Sequence, residues 1–245
     1  YQLSHHYNNG VKSFVISSSG NAAVSAAAYA ALVDIELDIF VAEKVNPVKL
    51  QLIEKHTNNN IRVRQSKKPK SDAIKFASEN NAFNLRGSLD HNAVIGFKTI
   101  AYELAEQAPD TDAIFIPCSS GTSSVGIAEG FHESDMNVRI NVCQTTKIHP
   151  IAKEYDSDYQ MSVSSMADAI SDRVAHRKQQ VTELIESTGG FGWVISDDEL
   201  LKARKLLPLV DFEISNNSLL SLAGLIKSLE AGNSYNAPTL LISGK

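Results

Sequence analysis

Cysteine is scarce: Cys118 and Cys143 are the only two in 245 residues, and both lie in apolar, strand-like runs. That argues against a disulfide-stapled scaffold and suits buried, reduced thiols in a cytoplasmic protein. Long apolar runs are lacking too. None approaches the roughly 18 residues that span a bilayer, and no basic, apolar leader opens the chain, so no membrane association is expected. Basic charge is outweighed, with 23 Lys and Arg against 28 Asp and Glu. A net charge of -5 gives no attractive field for nucleic acid. There is no Gly-Lys-Ser/Thr of a Walker loop and no Gly-x-Ser-x-Gly elbow, which disfavours an ATPase or a serine hydrolase. His5 and His6 have no third ligand at metal spacing, and His132, His149 and His176 are scattered, so no metal site is expected.

What is present is an alternation of β-rich runs and helical patterns. "SFVIS", "LDIFVAE", "NIRVRQ", "DAIFIPC", "VRINVCQ", "GWVIS" and "TLLISGK" read as strands. Between them lie helical stretches such as "NAAVSAAAYAALV", "PVKLQLIEKH", "KSDAIKFASEN", "AVIGFKTIAYELAEQ" and "SLLSLAGLIKSLEAG". The span from Ile148 to Ser187 reads as polar and mostly helical, clearest in "MADAISDRVAHRKQQVTELIES". Such alternation implies an α/β protein whose parallel-type sheets are covered by helices. "QSKKPKSD" reads as a solvated loop. The opening "YQLSHHYNNGVK" reads as the second half of a helix closed by Asn9-Gly10, so the numbering is expected to begin partway through a larger protein.

In such sheets ligands bind beyond the carboxyl ends of strands. Two loops have the required form. Ser17-Ser18-Ser19-Gly20-Asn21 follows the first strand and opens an alanine-rich helix. Its amides and hydroxyls suit a carboxylate, and Asn21 adds a neutral donor; a purely polar cap is the competing reading. "PCSSGTSSVG", from Pro117 to Gly126, has the small residues and hydroxyls of a phosphate cradle.

Taken in order, "SSGNAAVSAAAYAA", "GFKTIAYELAEQ", "IPCSSGTSSVGIAEGF" and the final "ISGK" resemble the tryptophan-synthase-β-like (fold type II) pyridoxal-phosphate enzymes. Among these, the chain most resembles the threonine synthases. The resemblance implies two domains with a cofactor cleft between them: 1–88 smaller and mobile, 89–245 larger and cofactor-binding. It implies pyridoxal 5'-phosphate as cofactor, a small amino acid as substrate and a homodimer. Asn21 would bond the cofactor's ring oxygen, and Ser18, Ser19, Gly20, Asn21 and Ala22 would hold the substrate carboxylate. Ser119, Ser120, Gly121, Thr122 and Ser123 would bind the cofactor phosphate, although Ser119 and Thr122 stand where the family commonly has glycine. Ser243 would meet the pyridine nitrogen, and a neutral hydroxyl there favours elimination or replacement.

The resemblance also implies a lysine that holds the cofactor as a Schiff base, and its place falls before Tyr1. Lys12, Lys98 and Lys245 are poor substitutes, so the catalytic residue is unknown within this chain, which alone is expected to be inactive. The implied reaction is conversion of phosphohomoserine to threonine. A threonine or serine ammonia-lyase, another β-replacement enzyme, or a non-catalytic relative lacking the lysine stay open.

Overall fold

The computed structural model describes residues 1–207 and 214–243. The chain divides into two compact units, Tyr1–Ala93 and Val94–Lys245.

In the first unit, β1 (Ser13–Ser17), β2 (Glu36–Ala42), β3 (Ile61–Ser66) and the short β4 (Phe83–Asn84) form a parallel sheet in the order β3-β2-β1-β4. Alternation along β1 sends Phe14 and Ile16 to one face and Val15 to the other. Phe14 and Ile16 pack with the alanine face of α2 (Asn21–Ala30), with Ile53 of α3 (Pro47–Glu54), and with Leu3 and Tyr7 of α1 (Gln2–Asn8). Val15 and Phe40 meet Ala73, Phe76 and Ala77 of α4 (Pro69–Glu79) on the other face. Asp38 of β2, buried to 1%, is neutralised by Arg64 at 2.6 Å and Arg62 at 3.4 Å. After Asn9, Gly10 takes φ +90, the left-handed stop expected after α1.

α5 (His91–Gln107) begins in the first unit and continues into the second. Asp90 caps it, accepting a hydrogen bond from the Asn92 N–H at 3.0 Å. In the second unit β5 (Ala113–Pro117), β6 (Arg139–Thr145), β7 (Phe191–Ile195) and β8 (Pro238–Leu240) are parallel, in the order β7-β6-β5-β8. Ile114, Ile116, Ile140 and Val142 face α5, α6 (Thr122–Glu133) and α7 (Lys178–Thr188). Phe115, Cys143, Trp193 and Ile195 face Leu200 of α8 (Asp197–Arg204) and Leu219, Leu220 and Ala223 of α9 (Asn216–Glu230). A Cβ on Gly224 would stand 2.3 Å from Cys143 Sγ, so the helix lies directly on the thiol. Both cysteines are free and buried. No helix among the described residues is long and apolar enough to cross a membrane.

Three expectations need correction. The span 148–177 is irregular apart from a single 3-10 turn at Ala152–Glu154, and helix resumes only at Lys178. Its backbone donors are taken by distant side chains: Ala169 N by Asn217, Met166 N by Asp197, and Asp172 N by Ser119. Asp156 anchors the same span, accepting from Val194 N at 2.9 Å and pairing with Lys227 at 2.7 Å. Serine and aspartate compete with helical hydrogen bonds in this way, and here the competition wins. The last strand ends at Leu240, short of the run read through to 245, and Gly244 and Lys245 lie outside the described residues. The third correction concerns the second loop, which is only four residues long: Thr122 already begins α6, so Ser123 and Ser124 are helical.

Candidate functional site

The two sheets share one topological feature. β2 and β3 add to one side of β1 and β4 to the other; β6 and β7 add to one side of β5 and β8 to the other. The loops leaving β1 and β5 therefore emerge where strand order reverses, the place at which such sheets bind ligands. These are the two hydroxyl-rich loops.

In the first unit, Ser18, Ser19 and Gly20 link β1 to α2, and Asn21 is the first helical residue. Gly20 N–H donates to Ser18 Oγ at 3.2 Å. Gly20 has φ −111, open to any residue, and a Cβ there would meet nothing within 4 Å. Its value is open space rather than a special turn. Asn21 and Ala22 are exposed, whereas Ala23, Ala26, Ala27 and Ala30 are buried against the sheet. The loop thus presents amides, hydroxyls and the Asn21 side chain from a helix start seated closely on its sheet.

In the second unit the loop from Cys118 to Gly121 is held from several sides. Gly121 takes φ +93, and a Cβ there would lie 2.6 Å from Val181 Cγ2 and 3.2 Å from Arg177 Cβ. Only glycine satisfies both the left-handed backbone and the packing. Ser119 has no positive φ and Thr122 is helical, so neither needs the glycine that the family commonly places there. Ser119 Oγ donates to Asp172 Oδ2 at 3.0 Å and accepts from the N–H groups of Ser171 and Asp172. Ser120 Oγ lies 3.0 Å from Thr122 Oγ1. Behind the loop, Gln144 of β6 donates to the Cys118 carbonyl at 3.1 Å and accepts from Ile151 and Ala152. Ser124 Oγ is buried without an oxygen or nitrogen partner and lies beside Cys118, whose thiol burial pushes up to about 11. A thiol at that value stays protonated and inert.

Ser243 is exposed, beyond β8, whose Leu240 pairs with Phe115 of β5. It therefore follows the strand next to the one that leads into the phosphate-type loop. Asp172, Gln144, Arg177 and Val181, which set that loop's shape, were not singled out from sequence. The contact between Ser119 and Asp172 spans 53 residues and leaves no local pattern.

The lysines divide clearly. Lys12 precedes β1, at the edge opposite the serine loop, with its Nζ 3.9 Å from the Tyr7 ring. Lys98 is clamped by Glu133 at 2.7 Å and Glu129 at 3.0 Å. These hydrogen bonds raise its pKa, the reverse of what a nucleophilic amine needs. Lys245 lies outside the described residues.

The threonine synthase of Methanocaldococcus jannaschii is 25% identical over 238 residues, covering 91% of this chain and 59% of that protein. The chain thus spans less than two thirds of that relative's length. The threonine synthase of Bacillus sp. (strain ULM1) is 25% identical over 240 residues, covering 95% of this chain and 67% of that one. A solved pyridoxal 5'-phosphate-dependent aspartate racemase shares the fold, with a TM-score of 0.81 at 17% identity over 99% of this chain and 76% of that one. The family model described as pyridoxal-phosphate dependent enzyme matches residues 1–242. A paired-sheet chain with an amide-rich cradle after β5 thus belongs to the pyridoxal-phosphate-dependent enzyme family.

Proposed function

We propose that the protein acts on a small amino acid in the manner of a threonine synthase, converting phosphohomoserine and water to threonine and phosphate. The observation that carries the cofactor-dependent part of this reading is the cradle of the second unit. A left-handed Gly121 opens α6, so the first N–H groups of that helix, from Thr122 on, lie at its positive end. Gly121 and Thr122 are buried, so water competes poorly for an anion held there. These features fit a phosphate ester. The likeness to two threonine synthases over more than nine-tenths of the chain supports the choice of reaction.

The residues divide the work. Backbone amides of Ser119 to Ser123 and the Ser120 and Thr122 hydroxyls hold the cofactor phosphate; Ser119's own hydroxyl is spent on Asp172 and acts by fixing the loop. Ser243 offers a neutral hydroxyl to the ring nitrogen and Asn21 donates to the ring oxygen. Ser18, Ser19, Gly20, Asn21 and Ala22 orient the substrate carboxylate. When bound, the cofactor supplies the electron sink for breaking bonds next to the amino-bearing carbon. The lysine that carries it is neither Lys12 nor Lys98.

The test is an absorbance spectrum of the full-length protein, borohydride fixation with mass spectrometry, and an amino-acid panel. Threonine and phosphate formed from O-phosphohomoserine are expected. Ammonia from serine or threonine with no threonine formed from O-phosphohomoserine would replace this reading with an ammonia-lyase. No fixed cofactor at all would leave a non-catalytic binding protein.

A further inference from the structure

The hydroxyl of Ser119 is fully committed inside the protein. It donates to Asp172 Oδ2 at 3.0 Å and accepts from the N–H groups of Ser171 and Asp172 at 3.3 and 3.2 Å. A serine hydroxyl has one donor and two acceptor positions, so these three bonds saturate it. They all run to one dipeptide, 52 and 53 residues further along the chain, late in the irregular span 148–177.

The same stretch meets the loop a second time. A Cβ on Gly121 would lie 3.2 Å from Arg177 Cβ and 3.8 Å from the Arg177 carbonyl oxygen. Asp172 and Arg177 therefore flank the loop, one at Ser119 and the other at Gly121. Between them the backbone is irregular; Arg173, Val174 and His176 are exposed, and Ala175 is buried. A stretch of that kind opens locally at little cost. What closes it is its fastening to the loop and the seat of Ala175.

The loop in turn fits a phosphate. Gly121 keeps its left-handed turn clear of a side chain where α6 begins, and Ser124 Oγ is buried there without an oxygen or nitrogen partner. An anion held by the loop amides fixes the backbone that carries the Ser119 hydroxyl, and through it the N–H groups of Ser171 and Asp172. Glycine at position 119 would supply no such oxygen.

We propose that Ser119 links the cradle to the stretch 171–177, so that filling the cradle closes the stretch, with Asp172 a positioning residue for cofactor retention that acts through Ser119. This rests on the assignment of the loop to the cofactor phosphate. Such coupling is reciprocal, so a variant that loses the link loses protection and cofactor affinity by the same factor. The test is limited trypsin digestion of the full-length protein, following the cut after the exposed Arg173 by mass spectrometry. Removing pyridoxal 5'-phosphate is expected to speed that cut about tenfold, and adding pyridoxal, which lacks the phosphate, should not slow it again. In Ser119→Gly and Asp172→Ala the difference between loaded and stripped protein should shrink to about twofold, with cofactor affinity by fluorescence titration about fivefold weaker. Asp172→Asn keeps an oxygen for the Ser119 hydroxyl and both backbone donors, and should retain most of the protection. Full protection in Ser119→Gly overturns the proposal. So does an Asp172→Asn protein as open as Asp172→Ala, which would make the effect one of charge. Wild-type protein that binds the cofactor without protection at Arg173 overturns the link while the cofactor reading stands; no cofactor bound at all removes both.

Discussion

The loop after β1 and the loop after β5 occupy the same place in sheets of the same strand order, yet they are held very differently. The β5 loop is pinned by Ser119 to Asp172, braced by Gln144, and floored by Arg177 and Val181 beneath a left-handed Gly121. The β1 loop has a short-range hydrogen bond from Gly20 to Ser18, open space at Gly20, and an exposed Asn21. A cradle whose ligand stays in place benefits from being fixed in advance, since the cost of ordering it is met on folding. A loop that admits and releases substrate is drawn from the less constrained end of the structure. The difference in anchoring thus matches the roles proposed for the two loops, resident cofactor and exchanging substrate.

Glycine substitution gives the widest separation between them. Gly121→Ala forces a Cβ to within 2.6 Å of Val181 in a left-handed backbone. It is expected to lower stability by about 2–4 kcal/mol in urea titrations, with loss of cofactor retention. Gly20→Ala meets nothing within 4 Å. It is expected to move stability by less than about 0.5 kcal/mol while raising KM for substrate. Equal destabilisation at both positions would erase the contrast.

Asn21→Ala comes next. Gly20, not Asn21, is the N-cap of α2, so removing the amide leaves the helix intact. Loss of a donor to the cofactor ring is expected to lower turnover about tenfold or more. Unchanged kinetics would remove Asn21 from the site.

The matched serines give a smaller separation. Ser119→Ala deletes one donated and two accepted hydrogen bonds. It is expected to cost about 1–2 kcal/mol and to weaken cofactor binding. Ser18→Ala deletes a single, partly exposed bond. It is expected to cost about 0.5 kcal/mol or less. Calorimetry of the two variants ranks them directly.

The same contrast explains what could be read without coordinates. Periodicity exposes how a segment faces its sheet, so β1, β2, β3, α2 and α5 were legible from apolar spacing alone. Both loops were legible because small hydroxyl residues after a strand have few structural uses. β4, two residues long, carries no period to detect. Asp172 and Gln144 were invisible because their partners are 53 and 26 residues away. The irregular span 148–177 misled for a related reason: its composition tolerates helix, and only tertiary partners such as Asn217 and Asp197 divert its N–H groups.

Acid stability offers the finest comparison, because each unit has a depressed carboxylate that fastens an outlying segment. Burial pushes Asp90 up, but hydrogen bonds from His6, Asn92 and Gln2 outweigh it and hold the carboxyl below its ordinary 3.8. Asp112 is likewise opposed by burial, yet lowered by the N–H groups of Asn236 and Ala237 and by Arg139. A depressed carboxylate stabilises fully above its unfolded pKa, and that contribution is lost as pH falls through the lower folded value. Urea midpoints should therefore decline below pH 3.8 for both units, and Asp90→Asn should flatten only its own part of that decline. Asparagine still caps α5, so the variant's stability near neutrality should differ mainly by the weakened bond to His6. An unchanged acid slope would mean that apolar contact, with the His6 and Phe83 rings 3.7 Å apart between centroids, holds α1 in place without help from charge.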